Sequence, residues 1–374
     1  MKKTQTPRDD EKRRRFAAKM TDVLNYGALN LAMGIGYRLG LFDCLDAFES
    51  QATAQAIAAQ AGLAGRYVDE WLGVMVAAGV VETSRGTDGE MRYRLPLEHG
   101  DLLARRAGSA NLGVYTQEIP LLIQCALEAV VRGFRTGEGV PYANYPRFQQ
   151  FMGELADAKH REVLVDLFLP SVDQGDIVRR MASGLRVCDL GCAEGLALIL
   201  MAEAFPRSEF TGIDIAAEAL DRARAAAAGR GLTNIRFLRR DAAELAHAAD
   251  LSETFDYVTA FDAIHDQTRP LEALRGVYAL LKPGGAFSMV DIAADSGIEA
   301  NRDHPMGPFL YTVSLMHCLP VGLMDGGMGL GMMWGQERAR DLLQEAGFAD
   351  VAVVPIPEDA FNLHYFCRKQ GPVS

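Results

Sequence analysis

The sequence predicts an α/β protein in which a doubly wound, mostly parallel seven-stranded sheet fills the second half, preceded by a mainly helical amino-terminal domain. From Leu185 onward, apolar strand-like runs alternate with stretches of helical periodicity, a pattern typical of a parallel sheet with helices on both faces. Before that point, apolar residues recur mainly at helical spacing. The chain has 374 residues, more than one hydrophobic core usually organises, which favours two domains.

The chain begins with a polar, mostly basic stretch, residues 1–15, which we interpret as a flexible tail. Between Phe16 and Phe48, apolar residues recur at helical spacing and predict helices with one apolar face. Such a face must be buried against another surface, and a second copy of the chain would supply one. We therefore expect residues 16–106 to form a dimerisation domain.

The remainder of this region has the order helix, turn, helix, hairpin. Residues 52–61 are alanine-rich and helical, Gly62 interrupts them, and residues 66–78 form a second apolar-faced helix. Two short strand-like runs then flank the turn-rich residues 84–89, which predicts a β-hairpin. This order predicts a winged helix. Residues 107–184 mix helical and irregular patterns, and we interpret them as a helical linker and cap.

Seven strands and four helices are predicted in residues 185–374. The strand-like runs are residues 185–190, 209–215, 234–238, 255–261, 286–292, 351–356 and 363–368. The helical stretches are residues 194–205, 216–228, 271–281 and 336–346. A long irregular insertion, residues 294–333, is expected to cap the substrate, since loops over a rigid sheet often carry specificity. Its methionines fit either an adaptable apolar wall or plain core, and its glycines either a lid or turns.

Composition excludes some functions. The formal net charge is −11, whereas nucleic-acid binding depends on an excess of Lys and Arg that neutralises phosphates. The second predicted helix carries Arg66 beside Asp69 and Glu70, a poor set for DNA recognition. We expect neither a nucleic-acid nor a membrane partner. Six scattered cysteines fit reduced thiols and a cytoplasmic location.

Three successive strand ends carry residues suited to a nucleoside-containing ligand. The first strand leads into a tight turn in which Gly191 and Gly195 let a ligand approach the backbone. Asp214, 19 residues after Gly195, ends the second strand, where a carboxylate accepts both hydroxyls of a ribose. Asp241 follows the third strand and faces the place of an adenine amino group.

A nicotinamide dinucleotide site would use the same Asp214, so an oxidoreductase is the competing interpretation. Such a site expects a G-x-G-x-x-G turn that holds a pyrophosphate at the helix N-terminus. Here Glu194 stands at the start of the predicted helix, where it would repel a diphosphate but not an amino-acid moiety. The sequence therefore favours an adenosyl amino acid.

On these motifs, residues 185–369 resemble a class I S-adenosylmethionine-dependent methyltransferase, which has a Rossmann-like fold. Residues 280–285 are similar to the family's turn before strand five, and residues 346–356 resemble its last helix and sixth strand. Ala193 stands where the family commonly has glycine. The amino-terminal region resembles the winged helix through which some small-molecule methyltransferases dimerise.

The resemblance implies that S-adenosylmethionine is the cofactor. The residues that it assigns to the cofactor are Asp189, Gly191 and Gly195 at the methionine end, Asp214 with Ile215 at the ribose, Asp241 with Ala242 at the adenine, and Phe261 at the end of strand four.

Methyl transfer requires in-line approach of a nucleophile, assisted by a base where the acceptor carries a proton. The fourth strand leads into His265, which would lie beside the reactive methyl group and is our first candidate for the base. Asp266 or Asp262 would orient it. His317 and His304 in the insertion are further candidates, and a purely structural role for His265, such as capping the next helix, stays open.

A metal site is the remaining alternative for this group of residues. His265, Asp266, His304, His317 and Cys318 carry suitable ligand atoms, but none has the close pairwise spacing of a structural zinc motif. We expect no metal and a buried, inert Cys318.

The sequence thus predicts a cytoplasmic, homodimeric transferase that methylates a small organic acceptor at oxygen or nitrogen. The alternative is a winged-helix transcriptional regulator whose methyltransferase-like domain senses a ligand. The identity of the acceptor lies beyond the sequence.

Overall fold

The computed structural model describes residues 9–357 and 359–371. The chain divides into two compact units, one up to Leu121 and one from Leu122 onward. The segment predicted to begin a linker at residue 107 therefore belongs with the first unit as far as Leu121.

The first unit is mainly helical. Its helices and strands are α1 (Asp10–Arg38), α2 (Leu41–Asp46), α3 (Ala54–Ala61), α4 (Gly65–Ala77), β1 (Glu82–Arg85), β2 (Met91–Arg94) and α5 (Leu97–Leu103). Strands β1 and β2 form an antiparallel hairpin in which Glu82 lies opposite Arg94. The predicted winged helix is confirmed by this order.

Helix α1 begins earlier than the sequence indicates. Residues 10–15, predicted as part of a flexible tail, form its first turns because the Asp9 carboxylate accepts two backbone N–H groups of that turn at 3.0 Å. Residues 1–8 of the predicted tail lie outside the described residues. At the other end of α1, the Trp71 indole donates to the Ala32 carbonyl at 2.9 Å. A Cβ at Gly36 would lie 2.4 Å from the Trp71 ring, so α1 packs closely there.

The second unit contains the large sheet. Helix α6 (Glu118–Thr136) begins in the first unit and leads into it. The helices and strands that follow are α7 (Pro146–Val163), α8 (Leu169–Ser171), α9 (Asp176–Ser183), β3 (Arg186–Leu190), α10 (Leu196–Ala204), β4 (Glu209–Asp214), α11 (Ala217–Gly229), β5 (Ile235–Arg239), β6 (Phe255–Phe261), α12 (Pro270–Leu280), β7 (Leu281–Ile292), α13 (Gly307–Met316), α14 (Cys318–Gly322), α15 (Gln336–Glu345), β8 (Val351–Ile356) and β9 (Asp359–Arg368).

The sheet has the strand order β5-β4-β3-β6-β7-β9-β8. Strands β3 to β7 are parallel, whereas β9 pairs antiparallel with β7 and β8. Apolar residues of α12 and α15 pack in one buried cluster, and those of α9, α10 and α11 pack in another. The predicted doubly wound, seven-stranded and mostly parallel sheet is confirmed.

The insertion at residues 294–333 is less irregular than predicted, because it contains α13 and α14. Several of its glycines are packed: a Cβ at Gly327 would lie 2.2 Å from the Gly322 carbonyl oxygen, and one at Gly331 would lie 2.5 Å from the Ser314 hydroxyl. Met332 and Met333 are buried. The run from Met324 to Met333 is therefore largely packed against its neighbours, which favours the core and turn interpretations over a lid.

Across residues 9–357 and 359–371, none of the helices combines the length and the apolar composition that a membrane crossing requires.

Candidate active site

The candidate site lies where the parallel strands end. Strand β3 pairs with β4 on one side and with β6 on the other, and β4 pairs with β5. The carboxyl ends of these strands therefore meet at one edge of the sheet, where open α/β sheets bind ligands. Every predicted cofactor residue lies within the last two positions of one of these four strands or in the segment that follows it.

The turn after β3 is held tightly by its surroundings. Gly191 has a φ of 70°, and its amide donates to the Ile213 carbonyl at 2.8 Å. A Cβ at Gly191 would lie 2.5 Å from the Cβ of Ala263, and one at Gly195, whose φ is 75°, would lie 2.6 Å from the Phe237 ring. Glycine is therefore required here by the positive φ and by packing against the protein itself.

Asp214 joins two backbone segments at the edge of the site. Its Oδ2 accepts the Ala193 amide at 2.9 Å, and its Oδ1 accepts the Ala216 amide at 2.8 Å. Each carboxylate oxygen keeps a further lone pair, so ribose hydroxyls fit without breaking these bonds. The adjoining Ile215 side chain is 59% exposed, as an apolar surface for a flat ligand would be.

Asp241 lies at the same edge, because the Arg240 amide donates to the Asp214 carbonyl at 3.1 Å. One oxygen of Asp241 caps the short 3-10 turn Ala242–His247 by accepting a backbone N–H at 2.9 Å. The other pairs with Arg269 at 2.9 Å. An adenine amino group would therefore use the remaining lone pairs of a carboxylate that already has two partners.

The charge of Glu194, expected to repel a diphosphate, has a partner in the structure. Glu194 pairs with Arg222 at 2.8 Å, so its charge is partly compensated and its repulsion of a diphosphate is smaller than expected. Helix α10 also begins at Leu196, after Gly195 as the N-cap residue, rather than at Glu194.

Asp189 and Phe261 complete the predicted cofactor set. Asp189 is buried and its Oδ1 accepts the Thr259 hydroxyl at 2.7 Å. Burial raises the pKa of Asp189 to about 7. The Phe261 ring is half-buried at the end of β6 and lies edge-on to the His160 ring of α7, with centroids 5.0 Å apart.

His265 is 3% exposed and its imidazole is held from one side by a buried carboxylate. Its Nδ1 lies 2.8 Å from Oδ1 of Asp291, and the same oxygen accepts the Trp334 indole N–H at 3.1 Å. Nε2 of His265 lies 3.4 Å from Oδ1 of Asp266. Burial lowers the pKa of His265, but Asp291 and Asp266 outweigh it, and the pKa stands well above its usual range.

The structure gives His265 a different buried partner from the predicted Asp262, and Asp266 lies within 3.4 Å of the His265 ring. The Asp262 carboxylate accepts the Asn362 amide at 2.5 Å, and the partner that orients His265 through Nδ1 is Asp291. Sequence analysis missed Asp291 because it considered only residues close to His265 in sequence. The available signal was a carboxylate near the end of a strand whose second half is almost entirely buried and mostly apolar, as Asp291 is in β7.

His317 and Cys318 lie beside Asp266 although they come from the insertion. Nδ1 of His317 is 3.7 Å from Oδ2 of Asp266 and 3.6 Å from Sγ of Cys318. Burial lowers the pKa of His317. Its ring packs against those of Tyr145 and Phe148, each 4.7 Å away between centroids.

His304 is not part of this group, since its Nε2 contacts the Ala293 carbonyl at 3.0 Å and its Nδ1 accepts the Met306 amide at 3.2 Å. Both ring nitrogens thus have structural partners.

Tyr142 is a further residue that sequence analysis missed: it is 43% exposed, and its ring lies 5.9 Å from that of His317.

Comparisons with known proteins agree with this geometry. A family model described as a methyltransferase domain matches residues 181–347, and one described as an Rv2258c-like winged HTH domain matches residues 27–105. A demethylmenaquinone methyltransferase from Listeria monocytogenes is 25% identical over 202 residues, which cover 51% of this chain and 81% of the relative. A ubiquinone biosynthesis O-methyltransferase from Vibrio parahaemolyticus is 36% identical over 104 residues, covering 27% of this chain and 41% of the relative.

Solved structures share the fold over almost the whole chain. Human N-acetylserotonin methyltransferase, solved with S-adenosylmethionine, has a TM-score of 0.67 at 18% identity and covers 98% of this chain and all of its own. An O-methyltransferase family protein from Burkholderia thailandensis has a TM-score of 0.66 at 14% identity, covering 96% of this chain and 99% of its own. At these identities the likeness concerns the fold.

The two family models, the strand order and the site at the strand ends agree with one another. The chain therefore contains a methyltransferase domain, preceded by an amino-terminal winged-helix domain.

Proposed function

We propose that the protein methylates a hydroxyl oxygen of a small organic acceptor, with His265 as the general base. The observation that carries this proposal is the buried pair His265–Asp291 in the segment after β6. The same segment contains Ala263, whose contact with Gly191 holds it against the turn assigned to the methionine end of the cofactor. The position of His265 between the turn assigned to the cofactor and the insertion supports this proposal.

The cofactor residues are proposed on the same grounds. Asp214 and Ile215 hold the ribose side, Asp241 and Ala242 the adenine side, and the turn between Asp189 and Gly195 the methionine side, with Phe261 nearby. When bound, S-adenosylmethionine supplies a methyl group on a positively charged sulfur. The lone pairs that Asp214 keeps free and the exposed Ile215 side chain fit this group.

His265 takes the proton of the acceptor hydroxyl on Nε2 while the new C–O bond forms and the C–S bond breaks. The Nδ1–H of His265 donates a hydrogen bond to Asp291, which keeps the proton on Nδ1 and leaves a free lone pair on Nε2. Asp266 stabilises the resulting imidazolium from 3.4 Å. The buried surroundings exclude water from this transfer.

Oxygen is proposed over nitrogen because relatives and structural neighbours are named as O-methyltransferases. The regulator alternative is not favoured. In α4, the candidate DNA-recognition helix, Arg66 pairs with Glu70 and Asp69, and Val68, Trp71, Leu72 and Met75 are buried. Little positive charge is then left for phosphates.

The test combines calorimetry with turnover. His265→Ala should lower turnover about 10²- to 10⁴-fold and leave S-adenosylmethionine affinity nearly intact. Asp214→Ala should weaken cofactor binding. His247→Ala, at an exposed histidine, is the matched control and should behave as the wild type. Equal turnover in His265→Ala would contradict the base assignment, and a labelled methyl group recovered on nitrogen would contradict the choice of oxygen.

The domain roles are also proposed. Residues 16–106 form a dimerisation domain, residues 107–184 a linker and cap, and residues 185–374 the methyltransferase domain with residues 294–333 over the acceptor. The six cysteines are free, as in a reducing, cytoplasmic compartment.

A further inference from the structure

The side chains of His265, Asp266 and Cys318 meet at one point of the second unit. Each residue offers one ligand atom, and the three atoms lie within 4.8 Å of one another. They are a His nitrogen, a carboxylate oxygen and the thiol sulfur. Cys318 begins α14, 52 residues after Asp266, so only the fold brings the thiol to this point. Sequence spacing alone therefore gave no metal motif here.

From this arrangement we infer that His265, Asp266 and Cys318 form a binding site for one soft divalent cation of the Zn²⁺ class, beyond the proposed methyl transfer. Imidazole, carboxylate and thiolate are the three ligand types that Zn²⁺ takes in proteins. With the carboxylate and the thiolate, the bound cation forms a site of net charge zero, which suits a buried position.

The surroundings have two further features of a metal site. Nδ1 of His265 bonds to Asp291 at 2.8 Å, so the opposite nitrogen, Nε2, is the one presented to Asp266. A carboxylate behind a histidine ligand is the usual outer partner of zinc-binding imidazoles. In addition, Oδ1 of Asp266 is buried without a hydrogen-bond partner among the described residues. A cation would satisfy this oxygen.

The consequence is inhibition. A cation on Nε2 of His265 occupies the lone pair that the proposed base needs, so it competes with the acceptor proton. Three protein ligands leave one position of a tetrahedral site for water, as in sites that exchange their fourth ligand. Cation binding rests on the same side chains as the proposed base but does not require methyl transfer.

Co²⁺ is the probe, because thiolate coordination gives a near-ultraviolet charge-transfer band. Chelator-stripped, reduced full-length protein titrated with CoCl₂ should develop this band at one equivalent per chain, and ZnCl₂ should displace it. Cys318→Ser should abolish the band, whereas Cys44→Ser, at a partly buried cysteine of the first unit, should keep it. Asp291→Asn should weaken Co²⁺ affinity about 10- to 100-fold.

Absence of a thiolate band in the wild type, or an unchanged band in Cys318→Ser, would overturn the site. Asp266→Asn, expected to bind Co²⁺ more weakly, provides a second variant if Cys318→Ser does not fold. Calorimetry with S-adenosylmethionine in the metal-free protein is measured in parallel. If no Co²⁺ band forms, the cofactor-binding and general-base proposals are unaffected. If His265→Ala turns over as fast as the wild type, the general-base proposal fails but the Co²⁺ result is unaffected. The two failures are therefore distinguishable.

Discussion

At the scale of single residues, the chemistry depends on how Asp291 sets the proton affinity of His265. The buried carboxylate, 2.8 Å from Nδ1, raises the pKa of the imidazole against the lowering effect of burial. A base with a raised pKa is stronger, but a smaller fraction of it is deprotonated at neutral pH. Activity should therefore increase as pH rises toward the pKa of His265.

This gives a prediction about the pH profile. Asp291→Asn removes the charge that holds the proton, so the acid limb of kcat/KM should move to lower pH while the maximal rate falls. Steady-state kinetics across pH measures both quantities. A uniform loss of rate with an unmoved limb would show that Asp291 has only a structural role.

Ala193 has an unusual backbone conformation for a residue with a side chain. Its φ is 47°, in the left-handed region, and its amide donates to Asp214. This conformation costs a non-glycine residue about 1–2 kcal/mol. Ala193→Gly should therefore raise the free energy of unfolding by roughly 1 kcal/mol. The greater entropy of glycine in the unfolded chain reduces this gain.

Chemical denaturation checks this value, and calorimetry should find S-adenosylmethionine affinity kept, because the amide remains in place. Ala216→Gly is the matched control, since Ala216 donates to the same carboxylate with a φ of −79°. The Ala216→Gly variant should not be more stable than the wild type. Destabilisation of Ala193→Gly would mean that its methyl group makes a compensating contact.

At the scale of elements, the sheet was predictable because its central strands β3, β4, β6 and β7 are largely buried and form apolar runs in the sequence. The positions of Asp214 and Asp241 followed, since residues at the ends of neighbouring parallel strands share an edge. Helix α13 was missed: its composition is apolar nearly all round, so it shows no clear helical face. The pairing of His265 with Asp291 and the approach of Cys318 were not predictable, because they depend on contacts between distant segments.

Two of these elements, the turn after β3 and the segment after β6, interlock at Gly191 and Ala263. Gly191→Ala would place its Cβ 2.5 Å from that of Ala263 and force a side chain onto a φ of 70°. We expect a loss of about 2–5 kcal/mol in stability, as the sum of about 1–2 kcal/mol for the left-handed backbone and about 1–3 kcal/mol for overpacking. S-adenosylmethionine binding should also be weaker.

The double variant Gly191→Ala with Ala263→Gly should recover the stability lost through overpacking. It should not recover the stability lost through the left-handed backbone. Denaturation of the two single variants and the double variant gives the coupling between the sites. Strictly additive losses would contradict the contact.

At the scale of the whole molecule, α1 has an apolar surface that its own unit leaves uncovered. Phe16, Met20, Leu24, Leu31 and Ile35 follow one another at helical spacing, and each is at least 41% exposed, with Leu24 at 70%. A continuous apolar stripe of this length marks an association surface. The part of α1 that is buried within the unit is confined to Gly34, Gly36 and Tyr37 near its end.

We therefore predict that the protein is a dimer in solution and that α1 holds it together. Light scattering should give twice the chain mass, and the double change Leu24→Asp with Leu31→Asp should give a monomer, because each buried aspartate would lack a partner. Thr21→Asp, a charge added at an exposed polar position of the same helix, is the matched control and should stay dimeric. A monomeric wild type, or a dimer that persists in the Leu24 and Leu31 double variant, would move the interface away from α1 and leave its apolar stripe to another partner.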